Sequence, residues 1–203
     1  MLLREARRLF FQRGNLGADG GYSSRWVRVE SKPIPFYFPN SRSRVAAARL
    51  HDLHHIAADY ETDWAGEAEI SAWEIASGCA RYHAAWILDL GGFAVGIVVA
   101  PKRLFRAFVR GRRATTNLYH AGFTESLLDE TTVAMLRKQL GIKPPSNEAR
   151  ITDIGLFALW GVIAVSMWVL IPILGMTLFW LIIRTWTTFA AEPPGVGHPS
   201  SSC

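Results

Sequence analysis

With 203 residues, the chain has room for one domain with its own core and some appendages, not for several large domains. Half of the residues are apolar and the formal net charge is +5. No nucleic-acid motif and no interleaving of aromatic and basic residues accompanies that charge, so it fits a domain held against anionic lipid rather than a nucleic-acid binder.

The N-terminal stretch MLLREARRLFFQRG is basic and has no apolar run long enough for a signal peptide. Its Leu, Phe and Arg suit a membrane surface or a frayed helix end equally well. Gly and Pro punctuate GADGGYSS and SKPIPFYFPNS, so residues 1–43 read as a loop-rich arm with no long helix. From Arg44 the pattern turns helical through SRVAAARLHDLHHIAADY, with Ser43 as its N-cap. DWAG reads as a turn, and EAEISAWEIASGCA as a second helix ending near Gly78.

Residues 82–100 are apolar apart from His83 and Asp89, up to Pro101. Asp89 and the paired Gly91-Gly92 favour a buried or membrane-dipping helix over a full span. KRLFRAFVRGRRA reads as a basic helix, and TESLLDETTVAMLRKQLGI as an amphipathic one capped by Thr124. No repeat and no convincing strand-period segment appears. The expected class is all-α: a helical metal-binding domain over 44–145, one C-terminal transmembrane helix over 151–184, and a disordered tail over 185–203.

The membrane helix rests on Ile154–Ile183, which holds no Asp, Glu, Lys, Arg or His. A helix of that length is roughly 45 Å long, against the ~30 Å hydrocarbon core. Pro172 and Gly175 interrupt it, leaving room for a kink but not for two full spans. Arg137, Lys138, Lys143 and Arg150 precede the span and only Arg184 follows it. The expectation is a single-pass membrane protein with its N-terminal domain cytoplasmic. The tail AEPPGVGHPSSSC is rich in Pro, Gly and Ser. Cys79 and Cys203 form no CxxC pair, and a cytoplasmic domain argues against a disulfide. SSSC lacks the three residues that a prenylation box needs after its Cys.

The chemistry concentrates in RLHDLHHIAADYETDWAGEAE, residues 49–69. His51 and His55 are i and i+4 on one helix face, a spacing that suits two imidazoles on one metal ion. Asp52 can lean in as an oxygen ligand, and Glu67, near the start of the next helix, can return toward His55. Two nitrogens and two carboxylates suit Zn²⁺, and equally Fe²⁺ or Mn²⁺. An HxxxH pair on a polar helix face also occurs without any metal. His54 flanks the same face, and with Glu69 it is a candidate proton donor; Glu69 and Glu74 also read as surface or outer residues. HDLHH matches the HxxHH box of membrane desaturases, but those di-iron sites need about eight histidines over several boxes and this chain has six.

His51-Asp52-x-x-His55, followed after eleven residues by Glu67 within GEA, resembles the HDxxH-x11-E signature of the coenzyme Q (ubiquinone) biosynthesis protein 4 family. Residues 110–142, RGRRATTNLYHAGFTESLLDETTVAMLRKQLGI, are similar to that family's C-terminal region. The resemblance covers roughly residues 40–145. His54 stands where the family often has an aromatic residue, and a membrane helix after Lys143 is not typical of it. The resemblance implies an all-helical protein with a divalent metal, usually zinc, held by His51, Asp52, His55 and Glu67. It also implies a polyprenylated aromatic or quinone lipid drawn from the membrane, and partnership with other ubiquinone-biosynthesis proteins. The implied reaction is loss of the C1 carboxylate from a polyprenyl hydroxybenzoate, coupled in some accounts to hydroxylation; the alternative is a non-catalytic prenyl-lipid scaffold. The helices at 84–100 and 123–141 are candidates for a prenyl-tail groove. Homo-oligomerisation is left open by the sequence.

Overall fold

The computed structural model describes residues 1–29, 35–144 and 148–190. The chain divides into two compact units, Met1–Val165 and Ser166–Cys203. The described elements are helices α1 (Leu3–Arg13), α2 (Arg42–Ala58), α3 (Trp64–Ser77), α4 (His83–Val99), α5 (Pro101–Gly111), α6 (Leu118–Ala121), α7 (Leu127–Glu130), α8 (Val133–Leu140) and α9 (Ile151–Ala190). Strands β1 (Trp26–Val29) and β2 (Phe36–Pro39) accompany them. The class is therefore all-α, as the sequence predicts.

The first unit is built around α3, which packs against α4 and α5. Close approach to α5 depends on Gly111: a Cβ there would stand 2.4 Å from the Trp73 carbonyl oxygen and 2.9 Å from the Trp73 Cα. α2 lies against α1, α3, α4, α6 and α8. One core cluster joins Leu50, Leu53 and Ala57 of α2 to Leu118, Leu128, Leu136 and Leu140. A second joins Ala68, Ala72 and Ile75 of α3 to Phe93, Leu104 and Phe108, and includes Ala164 from the opening part of α9. Phe157 packs among Phe93, Phe105 and Phe108, tilted against the first and edge-on to the other two. The start of α9 is thus part of the first unit's core.

Among the described residues of 1–43 there is a long helix and a strand pair, which a loop-rich arm does not anticipate. α1 buries Leu3, Ala6 and Phe11, so these apolar residues face the domain. β1 and β2 pair antiparallel, with Val27 opposite Phe38. Ser41, not Ser43, caps α2 by accepting from the Arg44 N–H at 3.2 Å. DWAG is not a turn: Asp63 caps α3 by accepting from the Gly66 N–H at 2.7 Å, and Trp64 is already helical. The helix expected over 124–141 is broken into α7 and α8. Thr132, rather than Thr124, caps α8 by accepting from the Met135 N–H. The break is tertiary in origin, because the Thr131 carbonyl accepts from the Leu3 N–H at 2.9 Å and the Val133 N–H donates to the Met1 carbonyl.

In the second unit α9 continues to Ala190 through Pro172, six residues beyond the expected end at 184. Ile151–Thr187 is long and apolar enough to cross a membrane. Leu174, Met176, Phe179 and Trp186 are each about two-thirds or more exposed (66, 66, 66 and 78 %), which is costly in water and natural in lipid. The rest of the tail, residues 191–203, lies outside the described residues.

Candidate metal centre

α2 presents His51 and His55 one turn apart, and the chain then reverses within a few residues. Asp59 closes α2 at φ 62°, a left-handed conformation that Asp tolerates. Gly66 lets the new helix fold onto the loop, since a Cβ there would fall 2.0 Å from the Glu61 carbonyl oxygen. This tight return puts Glu67, in the first turn of α3, opposite the two histidines. The Nε2 atoms of His51 and His55 are 3.1 Å apart, and each is 3.5 Å from an oxygen of Glu67.

The other imidazole nitrogens are committed. His55 Nδ1 lies 3.1 Å from the Tyr60 carbonyl and His51 Nδ1 lies 2.9 Å from Glu74. A carbonyl and an ionised carboxylate only accept, so each Nδ1 carries the proton and each Nε2 turns its lone pair inward. Two facing imidazole nitrogens and a carboxylate form a group that could hold a metal ion. At about 2.0–2.1 Å from an ion, two nitrogens bound to it sit roughly 3–3.4 Å apart, so the observed 3.1 Å fits. His51, His55 and Glu67 would hold the metal. In its absence a proton takes that place. Burial alone would lower the His51 pKa, but the carboxylates of Glu74 and Glu67 raise it well above the ordinary value. Glu67 moves the opposite way, its carboxyl held low against burial by its bonds to His51 and His55.

Behind the histidines stands Glu74, which is fully buried. It accepts from His51 Nδ1, from His54 Nδ1 at 2.5 Å and from the Tyr119 hydroxyl at 3.1 Å. Burial would push its carboxyl up, yet His51 and these donors bring it well below the usual range. A carboxylate that fixes the far nitrogen of a ligating histidine sets both tautomer and ring orientation. Asp89 lies beside it with Cys79 donating from Sγ at 3.2 Å. Burial first, then the charge of Glu74, raises Asp89 well above normal, so it stays protonated. His51, Glu74 and Asp89 form a second close group of possible ligands, in which Glu74 is already bonded to His51, His54 and Tyr119.

The structure brings together three of the four expected ligands. Asp52 is buried but bonded by the Tyr22 hydroxyl, and Tyr22 is held between Phe11 and the Arg49 guanidinium. Neither candidate proton donor is placed to act as one. His54 is fully buried, with Nε2 accepting from the Leu118 N–H at 2.9 Å and Nδ1 donating to Glu74. Its function is to position Glu74, and burial lowers its pKa. Glu69 is paired with Arg103 at 2.6 Å. The group is open on the Glu67 side, whose side chain is 44 % exposed.

A cleft of about 630 Å³ lies on the Asp52 side of α2, lined by Tyr22, Arg25, Arg42, Arg49, Tyr82 and Phe123 among others. Phe123 and Glu125 line it from the 123–141 segment, and no residue of 84–100 does. From the sequence Glu74 reads as either a surface or an outer residue; the structure gives the second, with Glu74 behind His51 and His54. The signal was its spacing, since Glu67 and Glu74 are two turns apart on one face of α3. No protein-family model, no curated protein and no solved structure matches the chain.

Proposed function

We propose that this chain is a membrane-anchored, metal-dependent protein of ubiquinone biosynthesis that removes the C1 carboxylate from a polyprenylated hydroxybenzoate. The observation that carries the reading is the convergence of His51 Nε2, His55 Nε2 and the Glu67 carboxylate, with the Nδ1 atoms tied back and one side open. The quoted signature HDxxH-x11-E supports the pathway, and α9 supports a substrate taken from the bilayer. The basic flank of α9 supports a cytoplasmic N-terminal domain.

A divalent ion here, zinc first and iron or manganese as alternatives, would supply a Lewis acid for a phenolate or carboxylate oxygen. Three protein ligands leave a position for that oxygen, as catalytic sites require. Glu74 accepts from His51 Nδ1 and so keeps Nε2 turned toward the ion. Tyr22, whose hydroxyl holds the Asp52 carboxylate, lines the cleft in which Arg25, Arg42 and Arg49 can face an anionic group.

The test is rescue of a strain lacking the coenzyme Q biosynthesis protein 4 homologue, with its quinone intermediates profiled. Wild type should restore quinone, while His55→Ala and Glu67→Gln should accumulate the carboxylated precursor. Equal rescue by the ligand variants would overturn the catalytic reading and leave a lipid-binding scaffold.

A further inference from the structure

We infer that the exposed face of α4, together with the basic start of α5, is a second membrane contact that lies in the interface of an anionic bilayer. α4 is apolar and 17 residues long, too short to span. One side packs on α3, with Gly92 against Ser71 and Gly96 against Ala68 and Leu104. Another meets α9, where Trp86 stacks on Trp160 and Phe93 meets Phe157 at a tilt. The remaining side carries Ile87 (59 % exposed), Leu88 (43 %), Val98 (83 %) and Val99 (53 %). Ile87 and Val98, like Leu88 and Val99, are roughly three turns apart, so the two pairs point the same way from the two ends of the helix, with Gly91 buried and Val95 half-buried between them.

Charge chooses the occupant. α4 is followed by Pro101-Lys102-Arg103, and exposed Arg81 precedes it. Lys102, Arg103 and Arg106 share one side of α5's first turns and are exposed. Arg103 pairs with Glu69, whereas Lys102 and Arg106 have no partner among the described residues. A second copy of this surface would set these cations against each other, whereas lipid phosphate would pair with them. An apolar face bordered by Lys and Arg is the pattern of a helix lying at the headgroup boundary. Trp86 and Phe93 also meet Trp160 and Phe157 of the opening turns of α9, within the first unit.

The inference rests on α9 being a membrane span, and the experiment separates the two. Full-length Cys203→Ser protein is labelled with a nitroxide at Val98→Cys or Ile87→Cys, both exposed positions. It is reconstituted into nanodiscs of phosphatidylcholine, alone or with phosphatidylserine, and label depth is read from collisions with oxygen and a water-soluble nickel chelate. Both labels should sit about 5–10 Å below the headgroups in the anionic discs. Lys102→Glu with Arg106→Glu should raise them toward water, and a label at Glu130→Cys should be in water throughout. Labels in water while the chain co-purifies with the discs overturn the inference alone. Dipolar broadening between labels would assign the face to a second copy and also overturn it. Failure to co-purify overturns the reading of α9 as well.

Discussion

Glu74 lies 2.9 Å from His51 Nδ1 inside the core and thereby decides which nitrogen of that histidine faces the open group. It is reached from a different helix than the ligand it serves, so α2 and α3 cannot separate without releasing the site. Glu74→Gln keeps the shape but replaces one acceptor oxygen with a donor that faces either His54 Nδ1 or both His51 Nδ1 and the Tyr119 hydroxyl. Metal affinity should fall about 10–100-fold, and stability by about 1–3 kcal/mol. Competition titration with a chromophoric chelator and thermal melting measure the two effects; unchanged affinity would remove Glu74 from the metal account.

His54 separates structure from chemistry. His54→Ala removes a buried ring that links Glu74 to the Leu118 N–H. Loss of both bonds and the cavity left behind should cost about 2–4 kcal/mol. For a unit of this size that is roughly a 5–12 °C fall in Tm. Bound metal per folded chain should be unchanged. Loss of metal at full thermal stability would mean that His54 is itself a ligand.

Asp52 and Glu67 should behave differently. Tyr22 holds the Asp52 carboxylate, while Glu67 meets both histidines. Asp52→Asn should keep the metal and loosen the N-terminal arm, seen as faster amide exchange around Tyr22. Glu67→Gln should lose the metal with little change in the fold. Equal metal loss in both would place Asp52 in the coordination shell of the loaded protein.

Truncation should depend on where the cut falls. Phe157, Trp160 and Ala164 belong to the core of the first unit. Removing residues 166–203 should give a folded domain that salt extracts from membranes. Removing 151–203 should strip Phe93 and Phe108 of their cover and yield aggregated protein. Membrane fractionation and size-exclusion chromatography read both outcomes; firm, salt-resistant retention of the shorter cut would point to a further anchor.

Helical periodicity made the i, i+4 pair His51 and His55 legible, and the short return after α2 made Glu67 legible, because both depend on local geometry. The roles of His54 and Glu74 were not. Neither spacing nor composition says that the third face of α2 turns inward, toward Tyr119 and Leu118 more than sixty residues away. Asp52 looked free to ligate because its partner, Tyr22, comes from the arm. The β1–β2 pair escaped notice because its strands are only four residues each, too short for alternation to stand out among the prolines. The split between α7 and α8 was hidden for a similar reason: Thr131 pairs with the chain's first residues, an override that no local propensity records.

Metal content is the most direct measurement. Full-length protein is purified in detergent, stripped, reloaded with zinc, dialysed and assayed by mass spectrometry beside His55→Ala and Glu67→Gln. The expected result is a stoichiometric divalent ion in the wild type and almost none in either variant. Equal metal in all three, or none in the wild type, would contradict a centre built on His51, His55 and Glu67.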